Sequence, residues 1–311
     1  MISNFEPPEC IWSIGIYTGN SPLHLSPPAS GLTPVLTAAD VTDVPSAFVA
    51  DPFLVRDDGE WFMFFEMLSS ETGRGEIGMA KSRNGLAWYY QQSILREPFH
   101  LSYPHVFRWQ GDYFMTPEAL GHGAIVLYRA HDFPFEWKPE ARLIEGGLAD
   151  PTPFEFDGMW WLFACPTPYE HDTLRLYYAT CPTGEWREHP SSPVLEGNAR
   201  IARPGGRVLS FDGRLIRYTQ DCTPYYGHRL RAVEITKLNT CEYEEHECSE
   251  SPILSAGNGW NGAGMHHADA QEISSGTWIA CVDGHRFHSA PTLAAAPSAL
   301  LRFFNLLRPR A

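Results

Sequence analysis

Ionisable side chains in this 311-residue chain recur at the same points of a repeated pattern. Asp51 opens the run ADPF, Tyr103 and His105 open SYPHVF, Asp150 opens ADPT, Arg203 opens ARPGG, and His266, His267 and Asp269 stand in HHADA. After each a second run ends on further polar groups: Glu66, Glu118, Gln220 with Asp221, and Asp283. Two carboxyl groups facing one cleft are the minimum equipment for cleaving a glycosidic bond. One protonates the leaving oxygen, and the other activates water or attacks the sugar. Burial and like-charge crowding drive such a pair apart in pKa, giving an acid and a base in one site. A blander chemistry competes with this one, because Asp before Pro also caps a strand entry and Asp before Gly also makes a turn. Asp157 and Asp212 are read as turn residues, and His24, His131 and His189 as isolated packing or surface histidines.

The elements that must position these groups form a repeat. Each unit holds a short apolar strand, a polar turn ending in Gly and an aromatic strand: ADPFLVRDDGEWFMFFE from Ala50, SYPHVFRWQGDYFMTPE from Ser102, and ADPTPFEFDGMWWLFAC from Ala149. Two looser copies begin at Ala202 and His266. The first four units continue into a third strand (GEIGMAKS, GAIVLYRA, LRLYYATC, HRLRAVEI) and a Leu-centred edge (QQSILREP, EARLIEG, SSPVLEG, ESPILSAG). The fifth lacks that pair, which the N-terminal segments WSIGIYTG and LTPVLTAA supply. The fold expected is therefore all-β, a single five-bladed β-propeller over residues 1–290. Its blades are four-stranded antiparallel sheets, the last of them closed by N-terminal strands so that no open edge remains. Inner strands all start on one face and second strands return to it, so the polar groups would ring a central funnel.

Two-residue turns fix hairpin register. Counting outward from Asp58-Gly59 sets Asp51 opposite Glu66, and Gln110-Gly111 sets Tyr103 opposite Glu118. The same count pairs Asp150 with Cys165, Arg203 with Cys222, and His267 with Gly284, while a bulge would shift any of them by one.

Composition agrees with this architecture. The chain carries 18 Phe, 13 Tyr and 10 Trp, with 26 Gly and 26 Pro, a mixture suited to pleated surfaces and turns. Most of the Trp are read as blade packing. Asp and Glu number 37 against 23 Lys and Arg, a net charge of −14, so no nucleic-acid partner is expected. Seven cysteines without a CxxC pair suit reduced thiols better than disulfides or zinc. The start MISNFEPPECIWSIGIY lacks a basic segment followed by an apolar run, and no eighteen apolar residues stand together, so the expected location is the cytoplasm.

These motifs carry a resemblance. The five-bladed pattern with ADPF opening blade one and ADPT opening blade three resembles the superfamily of glycoside hydrolase families 32, 43, 62 and 68. The run from Ala50 to Cys248, with EPFHLSYPHVF, YFMTPE, DPTPFEFDGMWWLFA and ARPGG, is similar to the propeller domain of the glucosamine inositolphosphorylceramide transferase family and its bacterial relatives. In the plant members the propeller precedes a separate glycosyltransferase domain. The family 43 likeness implies that Asp51 is the general base and that Asp150 orients and tunes the acid. The acid itself would be a Glu opening blade four, where this chain has Arg203. Glu118, with Glu66 as the other candidate, is then expected to serve as acid from a second strand.

The site expected is thus Asp51, Glu118 and Asp150 as catalytic groups, with Glu66, Tyr103, His105, Arg203, Asp221, Tyr226 and His267 contacting substrate. Arg203 beside Tyr225, Tyr226 and His228 suits an anionic group on a carbohydrate or glycoconjugate. No cofactor is expected. The resemblance alone implies a calcium or water site near a blade-five histidine, and HHAD lacks a zinc-ligand spacing. Two function classes follow: a glycosidase or transglycosidase working in the funnel, and a glycan-binding or scaffolding propeller that acts with a glycosyltransferase. From Ser298, SALLRFFNLLRPRA sets Leu300, Phe303, Phe304 and Leu307 on one helical face among arginines. Residues 291–311 are expected to form an amphipathic basic tail that packs on the propeller or touches a membrane surface.

Overall fold

In a computed structural model the described residues, 10–29, 31 and 33–287, form five antiparallel sheets. The expected basic tail lies outside the described residues. Blade one comprises Ser46–Asp57, Glu60–Ser69, Gly75–Ser82 and Tyr89–Leu95, and blade two Ser102–Trp109, Asp112–Glu118, Ala124–Asp132 and Glu136–Glu145. Blade three comprises Ala149–Phe156, Met159–Cys165, Arg175–Ala179 and Arg187–Glu188. In blade four Leu209–Phe211, Arg214–Asp221, Arg229–Leu238 and Tyr243–Glu247 are joined by Leu254–Ser255. Blade five is composite: Ala268–Ser274 and Thr277–Phe287 are extended by Cys10–Ser21 and His24–Ser26. The closing strand pairs antiparallel from Cys10 opposite Phe287 to Gly19 opposite Trp278, which completes the fifth blade from the N-terminal side as expected. The outermost strand of this blade is His24–Ser26, whereas the segment expected there adds only the bridge Ile14 to Leu36. No helix among the described residues is long and apolar enough to cross a membrane.

An apolar cluster fills each seam between blades. Phe64, Met79, Val106 and Tyr128 meet between blades one and two, and Trp161, Leu176, Leu215 and Ile235 between blades three and four. Trp61 with Ile16 and Trp278 with Leu230 seal the two faces of blade five. All ten tryptophans pack in such clusters, wholly or partly buried. No disulfide joins any two of the seven cysteines, all of which are among the described residues.

The turns behave as expected and the registers differ by a bulge. At Asp58-Gly59, Gln110-Gly111, Asp157-Gly158 and Asp212-Gly213 both turn residues have positive φ, the conformation that matches strand twist in a two-residue hairpin. Further along, the ladder breaks between Ala50 and Phe53, between Ser102 and His105, and between Ala149 and Thr152. Ala50, not Asp51, therefore faces Glu66, Ser102 faces Glu118, and Ala149 faces Cys165. The extra residue is Asp51, Tyr103 or Asp150, with φ of 52°, 46° and 50°, each followed by a Pro that cannot donate to the ladder. Non-glycine residues in this region store about 1–3 kcal/mol each and cluster at functional sites. In blade four the amide of Gln220, not Cys222, meets the Arg203 carbonyl at 2.9 Å. That strand runs so close to blade five that a Cβ on Gly206 would lie 1.9 Å from the Ala268 carbonyl oxygen. In blade five a bulge between Glu272 and Ser274 sets His267 opposite Asp283 instead of Gly284.

Candidate functional site

Asp51 turns into a pocket at the funnel mouth, together with Glu66 and Glu118 from the second strands of blades one and two. Arg203 of blade four and His266 of blade five complete its polar wall. Trp12 from the closing strand, Phe48, Leu68 and Leu120 supply apolar surface; His100 enters from the segment that links blades one and two, and Ser102 from the start of blade two's first strand. Two loops cover it. The loop after blade three's second strand brings Pro168 and Tyr169, held by His171 N–H on the Thr167 carbonyl at 2.7 Å and by Thr173 N–H on Thr167 Oγ1 at 3.1 Å. The loop after blade four's second strand brings Tyr226, next to Gly227, where a Cβ would strike the Trp12 ring at 2.5 Å.

Arg203 organises the acid side. Its Nε donates to Asp150 Oδ2 at 2.5 Å, Nη1 to His171 Nδ1 at 2.9 Å and the Pro168 carbonyl at 3.0 Å, and Nη2 to Glu118 Oε2 at 3.4 Å. Asp150 also accepts from Gln220 Nε2 at 2.8 Å, and its own N–H donates to Glu118 Oε2 at 3.1 Å. Four of the five guanidinium N–H groups are thus directed at protein acceptors. Burial, reinforced by the Asp150 carboxylate, pushes Glu118 up to about 8 against the pull of Arg203. Glu118 therefore carries a proton at neutral pH, the state a general acid needs. Burial likewise strips His171 of basicity, to about 2, so its Nδ1 is free to accept from Arg203.

A second network faces it. Asp283 accepts the backbone N–H groups of Asp51 at 3.0 Å, His266 at 3.3 Å and His267 at 3.1 Å, and lies 2.9 Å from His266 Nδ1. Burial works against its charge, but the His266 imidazole beside it holds the carboxyl below its usual value. Asp51 goes the other way. Burial first, then Asp283, Glu66, Asp150 and Glu118 around it, raise its carboxyl well above the ordinary range. Its Oδ1 is buried without a hydrogen-bond partner, 3.9 Å from His266 Nε2 and 4.0 Å from His267 Nδ1. Glu66 pairs with His100 at 3.3 Å, and although burial opposes charge on that ring, the Glu66 carboxylate raises its pKa. Asp51, His266 and Asp283 each bring one oxygen or nitrogen within 4.8 Å of the others, a spacing compatible with a cation. Both His266 nitrogens and both Asp283 oxygens also take part in hydrogen bonds, which order the trio around the partnerless Asp51 Oδ1.

Of the residues expected in the site, Asp51, Glu66, Glu118, Arg203 and Tyr226 line the pocket, and Asp150 supports it from behind Arg203. Four others lie outside the lining. Tyr103 is fully buried at the axis, where its hydroxyl accepts from Gly206 N–H at 2.9 Å and meets Thr152 Oγ1 at 2.8 Å, tying blades two, three and four. His105 is buried edge-on to Phe53 with neither ring nitrogen hydrogen-bonded, and burial lowers its pKa well below normal. His267 donates to or accepts from nothing in the pocket; its Nε2 lies 2.9 Å from the Pro52 carbonyl. Asp221 accepts from Arg231 Nε at 2.7 Å as a structural ion pair. Residues missed from sequence are Trp12, His100, Tyr169 and His171. Their only signal was proximity to strand entries, in WSIGIY, in EPFHLSYP and in the loop TPYEHD.

Tyr103→Phe measures the axial tie. Losing the hydroxyl leaves the Gly206 amide unpaired, so the variant should unfold about 1–3 kcal/mol more easily in urea while keeping wild-type affinity for any ligand of the pocket. Weakened binding at unchanged stability would instead place Tyr103 in the ligand's path.

The fold and sequence match known proteins. Residues 6–285 match the family described as glucosamine inositolphosphorylceramide transferase 1, N-terminal. Proteins named glucosamine inositolphosphorylceramide transferase 1 from Oryza sativa subsp. japonica and Arabidopsis thaliana are each 38% identical, over 303 and 334 residues. The alignments cover 90% and 97% of this chain but 41% and 44% of those proteins, so the chain spans less than half of their length. Among solved structures, a β-1,2-mannobiose phosphorylase from Listeria innocua aligns over 92% of this chain and 99% of its own, with a TM-score of 0.61 and 12% identity. An exo-β-1,3-galactanase from Clostridium thermocellum aligns over 68% and 51%, with a TM-score of 0.56 and 13% identity. At these identities the likeness is one of fold.

Proposed function

The chain belongs to the glucosamine inositolphosphorylceramide transferase 1 N-terminal family, and from that premise we propose that its mouth pocket processes a glycosidic bond, by hydrolysis or by transfer to an acceptor. One observation carries the reading. Glu118, on the pocket wall, keeps its proton to about pH 8 within hydrogen-bonding range of Arg203 and the Asp150 amide. A buried carboxylic acid beside aromatic and acidic surface is the equipment for protonating a leaving oxygen. Glu118 then acts as the acid, Asp150 and Arg203 orient it, and Asp51 shares the pocket with it as the candidate base. Glycosidases and a phosphorylase sharing the fold, and relatives named as glycosyl-group transferases, support a glycan or glycoconjugate ligand.

The ligand charge follows from the wall. Asp51 and Glu118 face the space held toward their protonated forms, Glu66 is paired with His100, and Arg203 is engaged by Asp150, His171 and Glu118. A sugar without a negative charge is therefore favoured over the uronic acid or sulfate suggested by Arg203 alone. A panel of neutral, amino and uronic glycosides, scored by thermal shift and by product formation, tests both points. Neutral or amino sugars should raise the melting temperature and release product, whereas a preference for uronic sugars would overturn the charge argument. A second reading, a glycan-binding propeller that works beside a transferase, draws on Arg203 standing where blade four would carry an acid. Its mark is binding without product.

A further inference from the structure

Besides Glu118, two carboxyl groups line the pocket within reach of the base role, Asp51 and Glu66. The base must be ionised while the acid holds its proton. Burial first, then the charges of Asp283 and Glu66, hold Asp51 toward its protonated form. Glu66 stands in a different setting, made by the segment that links blades one and two.

That segment is fixed to the start of blade one's third strand. Gly75 N–H donates to His100 Nδ1 at 2.8 Å, and Leu101 N–H donates to the Gly75 carbonyl at 3.0 Å. Only glycine permits this approach, since a Cβ there would lie 2.2 Å from the Leu101 carbonyl oxygen and 2.8 Å from both His100 Cε1 and Glu66 Oε1. These contacts settle the state of the ring. A backbone N–H can only donate, so Nδ1 holds a lone pair and the proton that every imidazole keeps sits on Nε2. Nε2 lies 3.3 Å from Glu66 Oε1, which therefore receives the hydrogen bond. A hydrogen bond received by a carboxyl oxygen favours the ionised group. Burial opposes a second ring proton and the Glu66 carboxylate favours one, raising the His100 pKa, yet that proton would displace the Gly75 hydrogen bond. Glu66 Oε2 has no hydrogen-bond or ion-pair partner among the described residues, and the side chain, 7% exposed, lines the pocket.

We infer that Glu66, held by the Nε2–H of His100, is the general base toward the hydroxyl that attacks the sugar, and that His100 is its positioning residue. The attacking O–H, from water or an acceptor alcohol, gives its proton to Glu66 Oε2. Its oxygen bonds to the anomeric carbon as the glycosidic C–O bond breaks, and the leaving oxygen takes the Glu118 proton. Glu66 then carries a proton and Glu118 a negative charge. Transfer from one to the other through solvent restores the resting state, so atoms and charge balance over the cycle. The His100 hydrogen bond stays on Oε1 throughout and keeps Oε2 for the attacking group.

The inference rests on the glycan-processing reading, and measurements on the full chain separate them. With any panel glycoside that the wild type turns over, Glu66→Ala should lower kcat about 10²–10⁴-fold, the span of general-base catalysis. Added azide should restore turnover with a glycosyl azide as product, because the anion attacks without losing a proton. Undiminished kcat in Glu66→Ala, no rescue by azide, or rescue of Asp51→Ala in its place defeats the assignment alone. Two His100 variants divide its hydrogen bonds. His100→Asn keeps an acceptor for Gly75 and loses the donor to Glu66, whereas His100→Gln can keep the donor and loses the acceptor. Turnover should fall about tenfold further in His100→Asn, while His100→Gln should have the lower urea midpoint. The opposite order of turnover removes His100 from its role. Nitrogen NMR of histidine side chains should find the His100 proton on Nε2 at neutral pH, and a proton on Nδ1 overturns the arrangement. Ligand binding with no turnover of any glycoside by the wild type defeats the glycan-processing reading and the base with it.

Discussion

Replacing Arg203 by methionine should cost the fold about 3–5 kcal/mol, the loss usual when one partner of a buried ion pair is removed. Methionine fills much of the same space, so the loss reports charge and not a cavity. Arg203 has 6% of its side chain exposed, and Asp150 and Glu118 beside it have 2% and 4%. Without the guanidinium, two buried carboxyl groups confront each other across the 3.1 Å hydrogen bond from the Asp150 amide to Glu118. Urea denaturation should show a lower midpoint at unchanged slope. Adding Asp150→Asn to Arg203→Met should recover part of the stability, because the orphaned charge is then absent. A single variant as stable as wild type would mean that Arg203 contributes nothing net, and that its place in the site must be explained by ligand contact alone.

Glu118→Gln should lower turnover of a pocket substrate by about 10²–10⁴-fold, the span of general acid catalysis. Gln reproduces the shape of the protonated side chain and keeps an oxygen for the Asp150 amide, so folding at neutral pH should survive. The pH dependence of stability gives a second reading of the same group. Native Glu118 holds its proton to about 8, while the ordinary value in an unfolded chain is 4.5. Between those values the native state binds a proton that the unfolded state has released, so stability falls as pH rises. The contribution is complete below about 4.5 and is lost as pH climbs through about 8. Wild type should therefore lose stability between pH 5 and 8, and Glu118→Gln should flatten that slope. Full activity in the variant would exclude Glu118 as the proton donor; an unchanged slope would show that its carboxyl is not held protonated.

These effects depend on contacts of very different visibility in the sequence. The blade repeat could be read directly, because strand alternation, DG and QG turns and the aromatic strand after each turn are local properties of ten to fifteen residues. Closure of blade five by WSIGIYTG was also legible, since the fifth unit lacked the strands that the N-terminus contained. Asp51, Glu66, Glu118, Arg203 and Tyr226 were found because strand ends in a propeller converge on its axis. Their partners were not. The left-handed bulge at Asp51, Tyr103 and Asp150 is decided by neighbouring blades, and it shifts three hairpins by one residue. His100, Trp12 and His171 arrive from a linker, the closing strand and a loop, whose paths follow the packing of whole blades.

What the chain determines by itself is therefore the repeat, the ring of five sheets and the gathering of carboxyl groups at one mouth, because each of these follows from local patterning. The tertiary structure alone decided that Arg203 is an internal counter-ion, that Tyr103 and His105 belong to the axial core, and that Tyr226, His266 and Asp283 stand in series. Residues far apart in sequence meet there within 3 Å, and which atom faces which depends on one-residue bulges and side-chain directions that no linear spacing encodes.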